Sequence, residues 1–207
     1  MGKHETGYAR VARDFYPTPP WVTAALVELV DVKDKHLWEC ACGDGRMSEA
    51  LKAAGARVYS TDIMDRGYAG FDGLHDFLLD QPSKLTFDGT VTNPPFGPRG
   101  KSAEAFIEVG LRHMGEGFLA LLLPADFDSA TTRPRLFRDC PLFAAKIVLT
   151  RRIVWFSHPD PKKERPKENS AWFLWGNVPW LHMHRIPTIR YAPAGARPDL
   201  ALSAGAT

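Results

Sequence analysis

The chain has 207 residues, of which 44% are hydrophobic and 24% are charged, as is typical of one globular domain with a sizeable core. A net charge of +2 permits a nucleic-acid partner without requiring one. The polar N-terminus is unlike a signal peptide, and no apolar run is long enough to span a bilayer, so the expected location is the cytoplasm.

The cysteines and histidines give no pattern of metal ligands. Three cysteines, Cys40, Cys42 and Cys140, are an odd number, which argues against a disulfide framework. No second Cys or His pair accompanies Cys40 and Cys42, so they are predicted to be buried thiols. The alternating His182 and His184 are more typical of a strand face near the surface. We therefore predict no metal site.

The N-terminal segment is expected to begin as an arm and to continue as a helix. Residues 1–13 are polar and mixed in charge, which predicts a flexible arm. Prolines at positions 17 and 19 exclude a helix there, whereas Pro20 suits the first helical turn. Apolar residues at helical spacing then predict a helix through Val30.

A strand, a glycine turn and a helix follow. Residues 36–41 read as a buried strand and residues 47–54 as a helix, an arrangement found in doubly wound α/β sheets. Gly43 and Gly45, in the turn between them, allow the backbone to approach a ligand closely. Ser48 stands where a dinucleotide-binding loop would have its third glycine, so the turn is not that fingerprint.

Two acidic positions follow on the next segments. Residues 57–61 predict a second strand, and Asp62 at its end could accept two ribose hydroxyls or could form an Asx turn or helix cap. Residues 63–75 are irregular and rich in glycine. Asp76 and Phe77 could bind an adenine amine and cover its ring, or they could be a helix cap followed by a core residue.

The segment Asn93-Pro94-Pro95-Phe96 follows a strand predicted over residues 86–92. The two prolines fix two φ angles and remove two donors, and they hold Asn93 extended. The resulting stiff loop presents an amide, free carbonyls and an aromatic ring. It could grip a planar group that carries an NH2, although Asn and Pro are also common turn residues.

The second half of the chain predicts further helices and strands. They are a helix over 102–114, a strand buried on both faces over 118–123, a short basic helix over 131–139, a strand over 144–149, and a hairpin of 153–156 with 171–175. The hairpin tip, residues 157–169, is predicted to be a mobile loop that either contacts phosphates or is a solvated surface loop. One irregular strand is expected over residues 179–191. The domain is predicted to span residues 14–191, and a disordered tail is predicted over residues 192–207.

The order of these segments resembles the class I S-adenosylmethionine-dependent methyltransferases that modify adenine N6 in DNA, in particular the small enzymes of phages and prophages. The resemblance rests on five motifs in order: Phe15-Tyr16-Pro17-Thr18-Pro19, Glu39-Cys40-Ala41-Cys42-Gly43-Asp44-Gly45, Asp62, Asp76-Phe77 and Asn93-Pro94-Pro95-Phe96. It implies a Rossmann-like α/β sheet of six parallel strands and one antiparallel strand, with helices on both faces.

The resemblance also implies the site and its ligands. S-adenosylmethionine would be bound by Tyr16, Thr18, Pro19, Glu39, Ala41, Gly43, Gly45, Asp62, Ile63, Asp76 and Phe77. The catalytic residues would be Asn93, Pro94, Pro95 and Phe96. Asn93 Oδ1 and the Pro94 carbonyl would each accept one N–H of the adenine amine, and Phe96 would stack on a base flipped out of the duplex.

The nucleic-acid contacts are the weaker part of the pattern, since no separate target-recognition domain follows the core. The candidate phosphate contacts are Arg133, Arg135, Arg151, Lys162, Lys163 and Arg165. The alternatives are the same chemistry on an adenine of RNA or on a protein glutamine amide, or a non-catalytic DNA-binding subunit. A monomer and a homodimer are both compatible with the sequence.

Overall fold

The computed structural model describes residues 15–79, 86–156, 166 and 168–180. Within them, the helices are α1 (Pro20–Val27), α2 (Arg46–Ala53) and α3 (Lys101–His113). The strands are β1 (His36–Glu39), β2 (Arg57–Asp62), β3 (Gly73–Leu74), β4 (Gly89–Thr92), β5 (Phe118–Pro124), β6 (Phe143–Val148) and β7 (Ser170–Gly176). Single 3-10 turns occur at Pro98–Gly100, Phe127–Ser129 and Pro134–Leu136.

The seven strands form one sheet in the order β3-β2-β1-β4-β5-β7-β6. Strand β7 pairs antiparallel with both β5 and β6, and the other pairs are parallel. The predicted fold, a Rossmann-like sheet with one reversed strand, is therefore confirmed. The strand order reverses between β1 and β4, and in such sheets the crevice for ligands opens at the carboxyl ends of the strands at this point.

The core lies on both faces of the sheet, as the continuous apolar run of β5 predicts. Leu122 faces the side covered by α1 and α2, whereas Leu121 and Leu123 face the side covered by α3. All three leucines are fully buried. Burying a leucine stabilises the fold by roughly 1.5–3 kcal/mol, so this strand fixes the centre of the sheet and, with it, the position of the neighbouring β4.

The strand that pairs with β7 is not the predicted one. Residues 153–156 form no strand, and β6 takes that place with Ile147 opposite Trp172. Ile153 is buried in the core without joining the ladder. A short apolar run predicts burial, but burial can be reached by packing as well as by strand pairing, and only the tertiary structure distinguishes the two.

Three further predictions are corrected. The basic helix over 131–139 is a single 3-10 turn, because Pro134 lacks a donor and Phe137 leaves the helical region. The irregular segment 63–75 contains β3, which pairs with the end of β2. Helix α1 stops at Val27, before Val30. The predicted arm, the tail, most of the hairpin tip, and the segment 179–191 beyond Trp180 lie outside the described residues.

Candidate active site at the carboxyl edge of the sheet

A cleft of about 920 Å³, including the open solvent at its mouth, lies where β1, β2 and β4 end. The predicted site residues that line it are Tyr16, Thr18, Glu39, Ala41, Gly43, Asp62, Ile63, Asp76, Phe77, Asn93 and Pro95. Pro19, Gly45, Pro94 and Phe96 adjoin these residues in the chain but are not part of the lining. The sheet topology thus gathers five separate sequence motifs into one crevice.

The glycine loop after β1 is closely packed by two aromatic rings. Gly43 and Gly45 both have positive φ, at +57° and +82°. A Cβ at Gly43 would lie 2.8 Å from the ring of Phe15, and one at Gly45 would lie 2.2 Å from the ring of Tyr68. The loop therefore requires glycine at both positions for its conformation and for packing. Gly43 alone of the two also faces the cleft.

Asp62 connects the glycine loop to the end of β2. Its Oδ2 accepts the Gly43 N–H at 2.9 Å, and its Oδ1 accepts the Met64 N–H at 3.0 Å. The second bond is the Asx turn that the sequence left open as an alternative. Each carboxylate oxygen can accept a further hydrogen bond, and the residue lines the cleft. Asp62 is therefore both a structural link and a candidate acceptor for ligand hydroxyls.

Glu39 lies at the buried end of β1. The Ser48 hydroxyl donates to Glu39 Oε2, and the Ser48 and Ser60 hydroxyl oxygens are 2.8 Å apart. The pKa of Glu39 is raised to about 8, mainly by burial and to a lesser extent by the nearby Asp62 charge, against the lowering effect of the Ser48 bond. Glu39 is consequently neutral near pH 7, so the floor of the cleft presents an uncharged carboxylic acid.

The Asn93 side chain is held by the N-terminal segment, far away in sequence. Its Nδ2 donates to the Tyr16 carbonyl and to Thr18 Oγ1, both at 3.1 Å. These two acceptors fix which end of the amide is the nitrogen. Asn93 Oδ1 is buried and has no hydrogen-bond partner among the described residues. A buried acceptor without a partner costs about 1–3 kcal/mol, so Asn93 Oδ1 is a candidate acceptor for a donor from a ligand.

An aromatic cluster stands beside this amide. The Tyr16 ring contacts Phe96, Trp155 and Phe156, with ring centroids 6.4, 5.6 and 5.8 Å apart. These rings are half-buried. By contrast, three aromatic residues of β7, namely Trp172, Phe173 and Trp175, are fully buried in the core. Of the aromatic residues of the predicted hairpin, therefore, Trp155 and Phe156 pack on Tyr16, whose carbonyl accepts from Asn93.

Asp76 and Phe77 combine the two roles that the sequence set against each other. Asp76 Oδ1 accepts the Leu78 N–H at 3.0 Å, which is a local turn. Phe77 is buried and packs on Trp38 and Phe106, with centroids 5.1 and 4.9 Å apart. Both residues nevertheless line the cleft. The turn presents the carboxylate, and the core contacts fix the ring that forms the wall.

Several lining residues were not among the predicted cofactor-binding or catalytic residues, although Phe15 and Asp44 lie within two of the five motifs. They include Phe15, Asp44, Arg66, His75, Ser102 and Phe106. The aromatic and proline pattern of residues 15–19 was the signal that could have found Phe15. Arg66 gave no signal, because it lies in an irregular segment whose path only the tertiary structure defines.

The predicted phosphate contacts have different environments. Arg133 is 12% exposed and donates to Glu104, to the Phe127 carbonyl and to the Arg99 carbonyl at 2.8, 3.0 and 2.9 Å. Its guanidinium thus holds the loop after the Asn-Pro-Pro-Phe segment, and a phosphate would compete with these protein acceptors. Arg135 is exposed and pairs with Glu108.

Of the four remaining candidate contacts, only Arg151 lies within the described residues. Arg151 is exposed and lies 5.2 Å from the Trp21 ring centroid. Lys162, Lys163 and Arg165 lie outside the described residues.

Among the residues that are described, no group of three His, Cys, Asp or Glu side chains could hold a metal ion, and no helix is long and apolar enough to cross a membrane.

Neither a protein-family model nor a curated protein matches the chain. Solved structures do. A protein from Pyrococcus horikoshii assigned as an RNA methyltransferase is 14% identical, with a TM-score of 0.58 over 84% of this chain and 91% of its own. A modification subunit assigned to a type I restriction enzyme of Vibrio vulnificus is 16% identical, with a TM-score of 0.57 over 80% of this chain and 45% of its own.

A dimethyladenosine transferase from Plasmodium falciparum is also similar, at 16% identity and a TM-score of 0.55, over 80% of this chain and 63% of its own. Identities at this level establish the fold and no more. The chain therefore has the Rossmann-like fold of the class I methyltransferases.

Proposed function

We propose that the protein is a methyltransferase that transfers the methyl group of S-adenosylmethionine to the exocyclic N6 amine of adenine in DNA. The observation that carries this proposal is the buried oxygen of Asn93, which has no partner in the described structure and lies at the carboxyl edge of β4 beside the cleft. An oxygen fixed in this way is complementary to an N–H of a planar substrate.

The lining of the cleft fits the cofactor. Asp62 would accept the ribose hydroxyls with the lone pairs that the backbone leaves over. Asp76 and Phe77 would take the adenine amine and one face of the adenine ring, and the exposed Ile63 would cover part of the other face. Bound there, the cofactor supplies an electrophilic methyl group on a sulfonium. The residues of the protein would bind and orient the reacting groups.

Asn93 and Pro94 would activate the adenine amine by orientation. The lone pair of this amine is delocalised into the ring, which makes it a poor nucleophile. Asn93 Oδ1 would accept one N–H and the Pro94 carbonyl the other, and two acceptors outside the ring plane favour a pyramidal nitrogen with its lone pair directed at the methyl group. An amide is not a base, so the proton would leave to solvent during or after methyl transfer. Preorganised polar groups of this kind contribute about 10²- to 10³-fold in rate.

The aromatic cluster of Tyr16, Phe96, Trp155 and Phe156 would receive the base. A base in a duplex must be flipped out, which costs a few kcal/mol. Stacking on an aromatic ring returns about 1–3 kcal/mol per base. The cluster stands next to Asn93 and is only half-buried, so it supports a binding place for a base outside the helix stack.

RNA is the second candidate substrate, and the names of the similar structures support it as a candidate. One of them is assigned as an RNA methyltransferase, one is a dimethyladenosine transferase, and one belongs to a restriction enzyme. An adenine of RNA would present the same amine to Asn93. The two candidate substrates differ in the nucleic acid that carries the base, not in the chemistry at the base.

The test is to incubate the protein with labelled S-adenosylmethionine and unmethylated DNA, RNA or protein, and to identify the product after digestion. N6-methyladenine in DNA is the expected product. We expect Asn93→Ala to lower turnover by about 10²-fold or more, while cofactor binding stays within about twofold. Asn177→Ala, at an exposed asparagine that does not line this cleft, is the matched control. Normal turnover of Asn93→Ala, or label in protein alone, would refute the proposal.

A further inference from the structure

Arg66 forms part of the cleft wall above the glycine loop. It follows the end of β2 by four residues and lines the cleft together with Phe15, Gly43 and Asp44. Its guanidinium carbon lies 4.1 Å from the centroid of the Phe15 ring, and the Phe15 ring itself packs against Gly43. This stack fixes the plane of the guanidinium at the edge of the cleft.

Apart from its stack on Phe15, the guanidinium of Arg66 has no hydrogen bond or ion pair among the described residues. Its Nε is buried and has no hydrogen-bond partner, and no ion pair involves Arg66 within the ranges that the structure describes. Arginine has five N–H donors, and a buried donor without an acceptor is costly. Arg133, by comparison, has three protein acceptors. The two arginines therefore have different environments: Arg133 holds a loop through protein acceptors, and Arg66 is oriented by Phe15 without an acceptor among the described residues.

The charges around the cleft indicate what Arg66 binds. The lining contains four carboxyl groups, on Glu39, Asp44, Asp62 and Asp76, and among the described lining residues Arg66 is the one arginine or lysine. S-adenosylmethionine carries an ammonium and a sulfonium cation, hydroxyls, and a single anion, the carboxylate of its methionine part. The three aspartates suit the cations and hydroxyls, the neutral Glu39 can still accept a hydrogen bond, and the planar guanidinium suits the carboxylate.

We infer that Arg66 binds the carboxylate of the methionine part of S-adenosylmethionine, with Phe15 holding the guanidinium in place. This inference rests on the cofactor named in the proposed function, and it adds an anchor that lies outside the five sequence motifs. The anchor acts on the end of the cofactor that is remote from the adenine ring. It therefore separates ligands that carry this end from ligands that lack it.

The test is calorimetric, without a nucleic-acid substrate. The ligands are S-adenosylmethionine, S-adenosylhomocysteine, and 5′-methylthioadenosine, which lacks the amino-acid end. We expect Arg66→Ala to weaken the first two by about 10- to 100-fold, the scale of hydrogen bonds to a charged group, and to change the third by less than about twofold. The affinities of Arg66→Lys for the first two ligands should lie between those of the wild type and of Arg66→Ala, because an ammonium keeps the charge and loses the fork geometry.

The control is Arg57→Ala, at an exposed arginine that begins β2 at the opposite end of the strand from Asp62. It should leave all three affinities unchanged, and thermal unfolding would verify that every variant is folded. Equal losses for all three ligands, or no loss for any, would overturn the role of Arg66. If the wild type binds S-adenosylmethionine but methylates no adenine, the proposed function fails while the assignment of Arg66 stands.

Discussion

The orientation of the Asn93 amide depends on Thr18, and we expect Thr18→Val to slow methyl transfer while leaving cofactor binding almost unchanged. Valine is close to threonine in size but cannot accept a hydrogen bond. The Asn93 Nδ2 donor would lose one of its two acceptors and keep the Tyr16 carbonyl. The amide would then be free to swing, and Asn93 Oδ1 would be misplaced for part of the time.

The magnitude follows from the bond that is lost. Thr18 is buried, and its hydroxyl oxygen lies 3.1 Å from Asn93 Nδ2. Removing a hydrogen-bond partner and leaving a buried donor unpaired costs about 1–3 kcal/mol. If the misplaced amide transfers this cost to the transition state, turnover falls by about 5- to 160-fold. The lower end applies if the Tyr16 carbonyl alone holds the amide.

The assay compares kcat with the dissociation constant for S-adenosylmethionine. Thr18→Ser keeps the hydroxyl and should restore most of the turnover. Thr18 also lines the cleft, and the sequence predicts it as a cofactor contact. The two roles separate cleanly, because a cofactor contact would appear as weaker binding. Unchanged kcat with a raised dissociation constant would refute the reasoning about the amide.

Two further predictions concern stability and nucleic-acid binding. Gly45→Ala should lower the free energy of unfolding by about 2–4 kcal/mol, since its Cβ would meet the Tyr68 ring. Gly67→Ala is the control, because Gly67 has a similar φ of +79° with open space around it, and this change should cost only about 1 kcal/mol. Equal losses for the two variants in denaturant titrations would contradict this. Arg133→Ala should lower the free energy of unfolding by about 2–4 kcal/mol and leave the salt dependence of DNA binding unchanged. Arg151→Ala should reduce the magnitude of the slope of log affinity against log salt concentration by about 1, without unfolding the protein. A lowered slope for Arg133→Ala would support its predicted role at phosphates and contradict this expectation.

Local patterns were sufficient for most of the sheet. The apolar run of β5 predicts a central strand, since no other position buries both faces of a strand. The glycine turn after β1 and the acid at the end of β2 lie where the strand–turn–helix pattern puts them. These features are set by neighbours in the chain, and the sequence contains those neighbours.

The partner of β7 could not be predicted in the same way. Residues 143–148 and 153–156 are both short and rich in apolar side chains, and strand pairing joins segments more than twenty residues apart. The choice between them depends on which backbone reaches the edge of the sheet. Ile153 reaches the core by its side chain alone, and β6 takes the ladder.

The sequence by itself determined the class of fold and the approximate position of the cleft, because hydrophobic periodicity, glycine turns and polar residues at strand ends are local properties. Only the tertiary structure decided what the polar groups in the cleft do. Asn93 is oriented by Tyr16 and Thr18, 77 and 75 residues away. Arg133 and Arg66 are chemically identical, yet the first has its acceptors within the protein and the second has none in the described structure. Hydrogen bonds and burial depend on distances in space, and these follow from the packing of the whole chain.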